Sequence, residues 1–208
     1  MTNRREFLHI GVAALSLPIA ARARVVPEVF GSAEPDATEA LYKVYFDERF
    51  QACVAFADVM QRQSMPTHAI RGDITGIWFG DLYARWKEKP AAIAGITAPG
   101  AIFCLEMLAR DAGMRIAFRA DHRLLVESQI ADIRRIEHEI TGPAKVLRQA
   151  SDLETSGAQW PQRMAELVAR FPAERDAATQ ARFTGSVASS GDHPRHLVTW
   201  VIAPVRRG

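Results

Sequence analysis

Apolar and polar positions between Leu41 and Ala120 follow two different periods. Short apolar or β-branched runs predict strands, and longer segments in which apolar residues recur every three to four positions predict helices. The runs that predict strands are 41–46, 67–72, 91–97 and 115–120, and the segments that predict helices are 48–61, 74–89 and 99–113. Strands and helices alternate throughout this part of the chain.

This alternation is typical of a parallel sheet whose strands are joined by right-handed helical crossovers. The segment 41–123 resembles Rossmann-type proteins in this architectural sense. We therefore predict an α/β fold, a mostly parallel, Rossmann-like sheet in three layers with helices on both faces. The β-branched, apolar run 196–204 predicts a late C-terminal strand at one side of the parallel set.

The segment 130–140 fits two kinds of element. Ile130, Ile133 and Ile140 fit one face of a helix. Ile136, His138 and Ile140 instead alternate as the residues of a strand do. We favour the helix and keep the strand as the alternative. After the Gly-Pro break at 142–143, the pattern predicts helices and then a polar loop, at 143–150, 161–171 and 183–195 respectively.

The first residues of the chain have the three parts of a secretory signal. A basic start is followed by the apolar run 10–21 and by small residues that predict cleavage after Ala23. The run is shorter than the roughly 20 apolar residues that a membrane-spanning helix needs, so we expect no stable membrane anchor. The expected organisation is a signal peptide at 1–23, a linker at 24–40 and a single α/β domain at 41–208.

The paired arginines Arg4 and Arg5, followed by Phe7 and Leu8, resemble the twin-arginine signal of bacteria. The alternative is an ordinary export signal in which two arginines are adjacent by chance. The resemblance implies export in the folded state by the twin-arginine (Tat) translocase, and a periplasmic location. An exported partner protein is one possible reason for such a route.

Charge separates the predicted signal from the rest of the chain. The net charge of +2 is accounted for by Arg4, Arg5 and Arg22 against Glu6, so the remainder is neutral. A neutral domain without a basic stripe lacks the electrostatic footprint of a nucleic-acid-binding protein. We therefore expect no nucleic-acid partner.

The two cysteines, Cys53 and Cys104, do not have the spacing of a metal site. Each lies on the apolar side of a predicted helix, which favours two buried free thiols. A disulfide between them is the alternative, because an oxidising compartment would preserve one.

In an open α/β sheet, ligands bind outside the carboxyl ends of the parallel strands. We therefore predict a ligand site at those ends, where arginines and the amides after Thr97 would hold a small anionic ligand of the carboxylate type. The alternative is that the acids and the threonine cap helices while the arginines are solvated. The predicted ligand-binding residues are Asp47, Arg49, Arg71, Asp73, Thr97, Arg119, Asp121 and His122.

Other chemistry has weaker support in the sequence. The segment 95–100 lacks the glycine spacing and the lysine of a phosphate-binding loop. His193 and His196 supply two of the three or four ligands that a zinc site needs, so we predict no metal and no cofactor. Asp121 could orient His122 as an acid or base, but no nucleophile accompanies them.

Three functions follow from these observations. The favoured one is an exported periplasmic protein that binds a small carboxylate or assists an exported oxidoreductase, without catalysis of its own. The first alternative is a hydrolase-like enzyme that uses Asp121 and His122. The second is a protein–protein interaction module.

Overall fold

The computed structural model describes residues 39–125, 133–173, 175–188 and 195–205. All of them belong to one compact unit. The predicted signal peptide and the linker up to residue 38 lie outside the described residues. No helix in the described ranges is both long and apolar enough to cross a membrane.

The strands of the described residues form one sheet. Their bounds are β1 Leu41–Asp47, β2 Thr67–Ile70, β3 Ala92–Thr97, β4 Met114–Leu125, β5 Ile133–Pro143, β6 Ala178–Ala188 and β7 His196–Pro204. The helices are α1 Gln51–Arg62, α2 Thr75–Ile77, α3 Tyr83–Glu88, α4 Pro99–Asp111, α5 Ala144–Gln149 and α6 Trp160–Ala169. A π-helical turn, Trp78–Leu82, joins α2 to α3, and 3-10 turns at Ala150–Glu154 and Gly157–Gln159 lie between α5 and α6.

The sheet has the strand order β2-β1-β3-β7-β4-β5-β6. β1 is parallel to β2 and β3, whereas every other neighbouring pair is antiparallel. The α/β class is therefore confirmed, but the sheet is mixed rather than mostly parallel. The physical reason is twofold: β7 enters between β3 and β4, and β5 pairs antiparallel with both β4 and β6.

β7 nevertheless preserves one property of the predicted arrangement. Because it is antiparallel to both β3 and β4, those two strands run in the same direction. The carboxyl ends of β1, β2, β3 and β4 therefore lie at one edge of the sheet. We call this the carboxyl edge.

Helices cover both faces of the sheet. We call the side covered by α1, α5 and α6 the α1 face, and the side covered by α2, α3 and α4 the α4 face. Each has its own apolar core, with Phe56 and Phe118 in the first and Trp86 and Trp200 in the second. Trp86 is buried and packs in the core of the α4 face.

Residues 133–143 form a strand, so the favoured helix at 130–140 is wrong. Ile136, His138 and Ile140 are buried against the α1 face, while Glu137 and Glu139 are partly exposed on the other side. Buried and exposed residues alternate in this way in a strand with one buried face. Ile133, which a helix would have placed on its apolar face, is 43% exposed. The strand alternative is the correct one.

The structure also corrects the polar loop predicted at 183–195. Residues up to Ala188 belong to β6, which pairs along its whole length with β5. Its inward positions include the small residues Ala181 and Gly185, so the sequence lacks the β-branched run that normally marks a strand.

The cysteines do not form a disulfide. Cys53 is buried in the core of the α1 face, whereas Cys104 is exposed on α4, which belongs to the opposite face. The buried stripe of α4 instead includes Ala101, Ile102 and Leu105. The burial expected for Cys104 is therefore wrong, and that for Cys53 is confirmed.

Gly95 lies in the middle of β3, where three strands meet closely. A Cβ atom at this position would come within 2.4 Å of the Tyr45 carbonyl oxygen and 2.6 Å of the Trp200 ring. Both neighbours are fully buried and cannot move aside. A side chain at position 95 would therefore force β1 and β7 away from β3.

We predict that Gly95→Ala lowers the free energy of unfolding by about 1–3 kcal/mol, the usual cost of overpacking. Chemical denaturation followed by circular dichroism measures the effect. Gly76→Ala is the matched control, because nothing lies within 4 Å of a Cβ at that helical position. Equal stabilities of the two variants would contradict the packing argument.

Candidate functional site

Several of the predicted site residues lie in one row across the sheet at its carboxyl edge. Phe46 pairs with Ile96, so Asp47 and Thr97 are the next positions on β1 and β3. Thr97 pairs with Val198 of β7, which in turn pairs with Asp121 of β4. With three strand spacings between them, Asp47 and Asp121 are about 14 Å apart. β7 thus divides the charged residues into two groups.

The first group lies between β1 and β3, where the order in which successive strands are added across the sheet changes direction. From β1 the chain leaves through α1 on one face, and from β3 it leaves through α4 on the other. Between two adjacent parallel strands of this kind, the helices diverge and leave a crevice outside the strand ends. Asp47 and Thr97 mark this switch point.

Asp47 and Arg49 form a fixed pair at the switch point. Asp47 is fully buried and accepts hydrogen bonds from Arg49 Nε (2.8 Å) and Nη2 (2.6 Å). The guanidinium group also lies 5.2 Å from the Phe50 ring and fills the space that a Cβ on Gly72 would need. The hydrogen bonds to Asp47 raise the pKa of Arg49. The Arg49 side chain remains 43% exposed, so it still has donors that face solvent.

Thr97 is a structural residue in this geometry. It is fully buried, and its hydroxyl oxygen accepts a hydrogen bond from Trp200 Nε1 at 3.2 Å. The helix that follows begins at Pro99 without a side-chain cap, and α1 likewise has no side-chain cap after Phe50. The predicted capping by Thr97 is therefore not found.

Arg71 and Asp73 follow β2, beside the same strand ends. Arg71 is largely exposed, with its Nε 3.4 Å from Glu48 Oε1. Asp73 accepts hydrogen bonds from the Thr75 amide (2.8 Å) and hydroxyl (2.7 Å), and these lower the pKa of its carboxyl group. Asp73 thus closes a local turn just before α2, whose N-cap residue is Ile74 and which has no side-chain cap hydrogen bond.

The second group surrounds Asp121 on the α4 face. Its carboxylate accepts hydrogen bonds from Arg119 Nε (2.6 Å) and Nη2 (3.0 Å), and His196 Nε2 lies 2.8 Å from Oδ1. Burial alone would raise the pKa of Asp121, but the hydrogen bonds from Arg119 and His196 outweigh it and lower that pKa. Both oxygens are therefore occupied by neighbouring side chains.

His122 lies on the opposite face, because consecutive strand residues point to opposite sides of a sheet. It is buried with His138, and their Nδ1 atoms are 2.7 Å apart. Its Nε2 atom is 2.9 Å from the Thr199 hydroxyl, and the Trp160 ring lies over it at 4.3 Å. His138 Nε2 has no hydrogen-bond partner among the residues that the structure describes.

In this arrangement, at most one of the two imidazoles can carry a positive charge. One Nδ1 must donate to the other, so two imidazolium rings could not share the 2.7 Å contact. Burial lowers the pKa of His122 well below its ordinary value, and nearby His138 and His196 lower it further. Burial also lowers the pKa of His138 to about 4. The pair is a neutral, buried element of the core.

The proposed pairing of Asp121 with His122 is therefore not found. Asp121 contacts His196 instead, and His122 contacts His138 and Thr199. His193, the second histidine considered for metal binding, lies outside the described residues. Within the described ranges, no group of three or more His, Cys, Asp or Glu side chains is arranged to hold a metal ion.

The roles of His138 and Thr199 were not predicted from the sequence. The alternation of residues 136–140 did indicate that His138 lies on the buried face of a strand, but the helix was favoured for this segment. For Thr199 no local signal exists, because its contact with His122 joins residues 77 positions apart.

No family model, curated protein or solved structure matches this chain.

We predict that the protein loses stability as the pH falls from 6.5 towards 4. Unfolded histidines bind protons near pH 6.5, whereas His122 and His138 stay neutral in the folded state, so protons favour unfolding in this window. The free energy of unfolding should fall by up to about 1.4 kcal/mol per pH unit for each group. Urea denaturation across this range measures the slope.

His138→Gln should make that slope shallower even if it lowers stability at neutral pH. His68→Gln, at an exposed position on β2, is the control and should leave the slope unchanged. The same slope in all three proteins would show that the buried pair does not govern the response.

Proposed function

We propose that this protein is exported to the periplasm by the twin-arginine route and that its α/β domain binds a small carboxylate at the switch point between β1 and β3. The observation that carries the proposal is the divergence of α1 and α4 to opposite faces of the sheet after two adjacent parallel strands. Ligands of open α/β sheets bind at such points.

Arg49 supports an anionic ligand at this position. Buried Asp47 holds two of its N–H groups, so the guanidinium plane is oriented before any ligand arrives. A pre-oriented arginine loses little conformational entropy when it binds a carboxylate through its remaining donors. Arg71, at the end of the neighbouring strand, supplies a second exposed guanidinium group, which lies 3.4 Å from Glu48 Oε1.

The two helix starts support the same ligand class. Neither α1 nor α4 has a side-chain cap, so backbone N–H groups at both N-termini are left without a side-chain acceptor. The positive end of each helix dipole favours a negative charge there.

The remaining predicted residues lie outside this proposal. Arg119 and Asp121 are bound to each other beyond β7, and His122 is buried on the α1 face. The hydrolase alternative therefore has no geometric support from Asp121 and His122. An interaction role with an exported partner is favoured by one observation, the exposure of Phe103 (64%) and Met107 (50%) one turn apart on α4.

The ligand proposal predicts that Arg49→Lys weakens carboxylate binding by about tenfold, since a hydrogen bond to a charged group contributes 1.5–3 kcal/mol. Lysine keeps the charge beside Asp47 but lacks the guanidinium fork. Thermal shift and calorimetry with acetate, pyruvate and succinate measure the effect. Arg62→Lys on the exposed end of α1 is the matched control. Equal affinities in both variants, or no binding to the unaltered protein, would refute the site.

The export proposal predicts that Arg4→Lys together with Arg5→Lys retains the precursor in the cytoplasm. The double change preserves the positive charge that an ordinary secretory signal uses and removes only the arginine pair. Cell fractionation of a tagged protein measures the outcome. Normal export of the double variant would indicate an ordinary secretory signal instead.

A further inference from the structure

A second polar cleft lies away from the carboxyl edge, between α5, the 3-10 turn that follows it and α6. It has a volume of about 350 Å³, which is within the range of small-molecule sites. Buried Leu153 and Leu167 contribute apolar lining, and polar or charged side chains make up the rest. No lining residue comes from the loops after β1, β2, β3 or β4, so this cleft is separate from the switch point.

Three arginines line the cleft, and they come from different parts of the chain. Arg148 belongs to α5, Arg163 to α6, and Arg170 immediately follows α6. Arg163 is paired with Glu166 at 2.9 Å, but the structure gives Arg148 and Arg170 no ion pair with any described residue. Asp152 is the other acidic residue of the lining. Positive charge is therefore in excess.

We propose that this cleft binds a small dianion, with Arg148 and Arg170 each holding one of its charged oxygen groups. Guanidinium groups form paired hydrogen bonds with carboxylates and phosphates alike, so dicarboxylates and phosphate groups share the required chemistry. Ser151 and Gln149 add a hydroxyl and an amide to the lining, which suits an oxygen-rich ligand.

The positions of the arginines also have a simpler explanation. Arg148 is in the last turn of α5 and Arg170 caps α6, and cations at helix C-termini stabilise the helix dipole. That explanation accounts for the residue type and predicts no response to anions. It does not account for the convergence on one cleft of two exposed arginines that have no ion pair among the described residues.

The test measures the binding of succinate and of inorganic phosphate to the mature chain by calorimetry and thermal shift, with acetate at equal ionic strength as the monoanion control. We expect at least one dianion to bind and Arg148→Gln with Arg170→Gln to weaken it by about tenfold or more. Arg62→Gln, at the corresponding position in the last turn of α1, should bind as the unaltered protein does. Glu166→Gln should tighten binding, because it releases Arg163 from its carboxylate.

Binding of phosphate, of succinate or of both supports the proposal where the double arginine variant weakens it and Arg49→Lys does not, and the dianion that binds then assigns the ligand class. Failure of both dianions to bind, or equal affinity in the double variant, would overturn it. Arg49→Lys distinguishes the two sites: if that change removes dianion binding, the dianion binds at the switch point and the cleft proposal fails.

Discussion

The pairing of β7 with two strands at once holds this fold together. Every residue from Leu197 to Ala203 is buried, and the strand bonds to β3 on one side and to β4 on the other. The three parallel strands β2, β1 and β3 would otherwise form a separate sheet from the antiparallel strands β4, β5 and β6. The absence of a side chain at Gly95 is part of the same constraint, because the Trp200 ring occupies that space.

The position of β7 also explains how the charged residues are distributed. It keeps β4 parallel in direction to β1, so Asp47, Thr97 and Asp121 share one row, but it separates the outer two by the width of the intervening strands. Each aspartate then has its own arginine as a local partner. The carboxyl edge therefore contains two separately neutralised carboxylates instead of one concentrated charge. Only the Asp47 group coincides with diverging helices.

The elements from β1 to α4 could be predicted from the sequence, because buried positions in 41–111 follow clear local periods. Strand order could not, since the insertion of β7 depends on contacts between residues about a hundred positions apart. β5 was misassigned because Ile133 and Ile140 are seven apart, a spacing that also fits a helix. The residue types of the site could be predicted, but the contacts between them could not. Asp121 was expected to pair with His122, its neighbour in the chain, and instead contacts His196 across the sheet.

The late arrival of β7 has a consequence for synthesis. Thr97 and Trp200 are 103 positions apart, so their contact closes a long loop, and contacts of this kind slow folding. During translation, β3 and β4 are complete long before the ribosome reaches β7. Their facing edges then present unpaired backbone groups, a recognised template for aggregation. The order of synthesis therefore leaves the edges of β3 and β4 that face β7 open until the last strand of the sheet has been made.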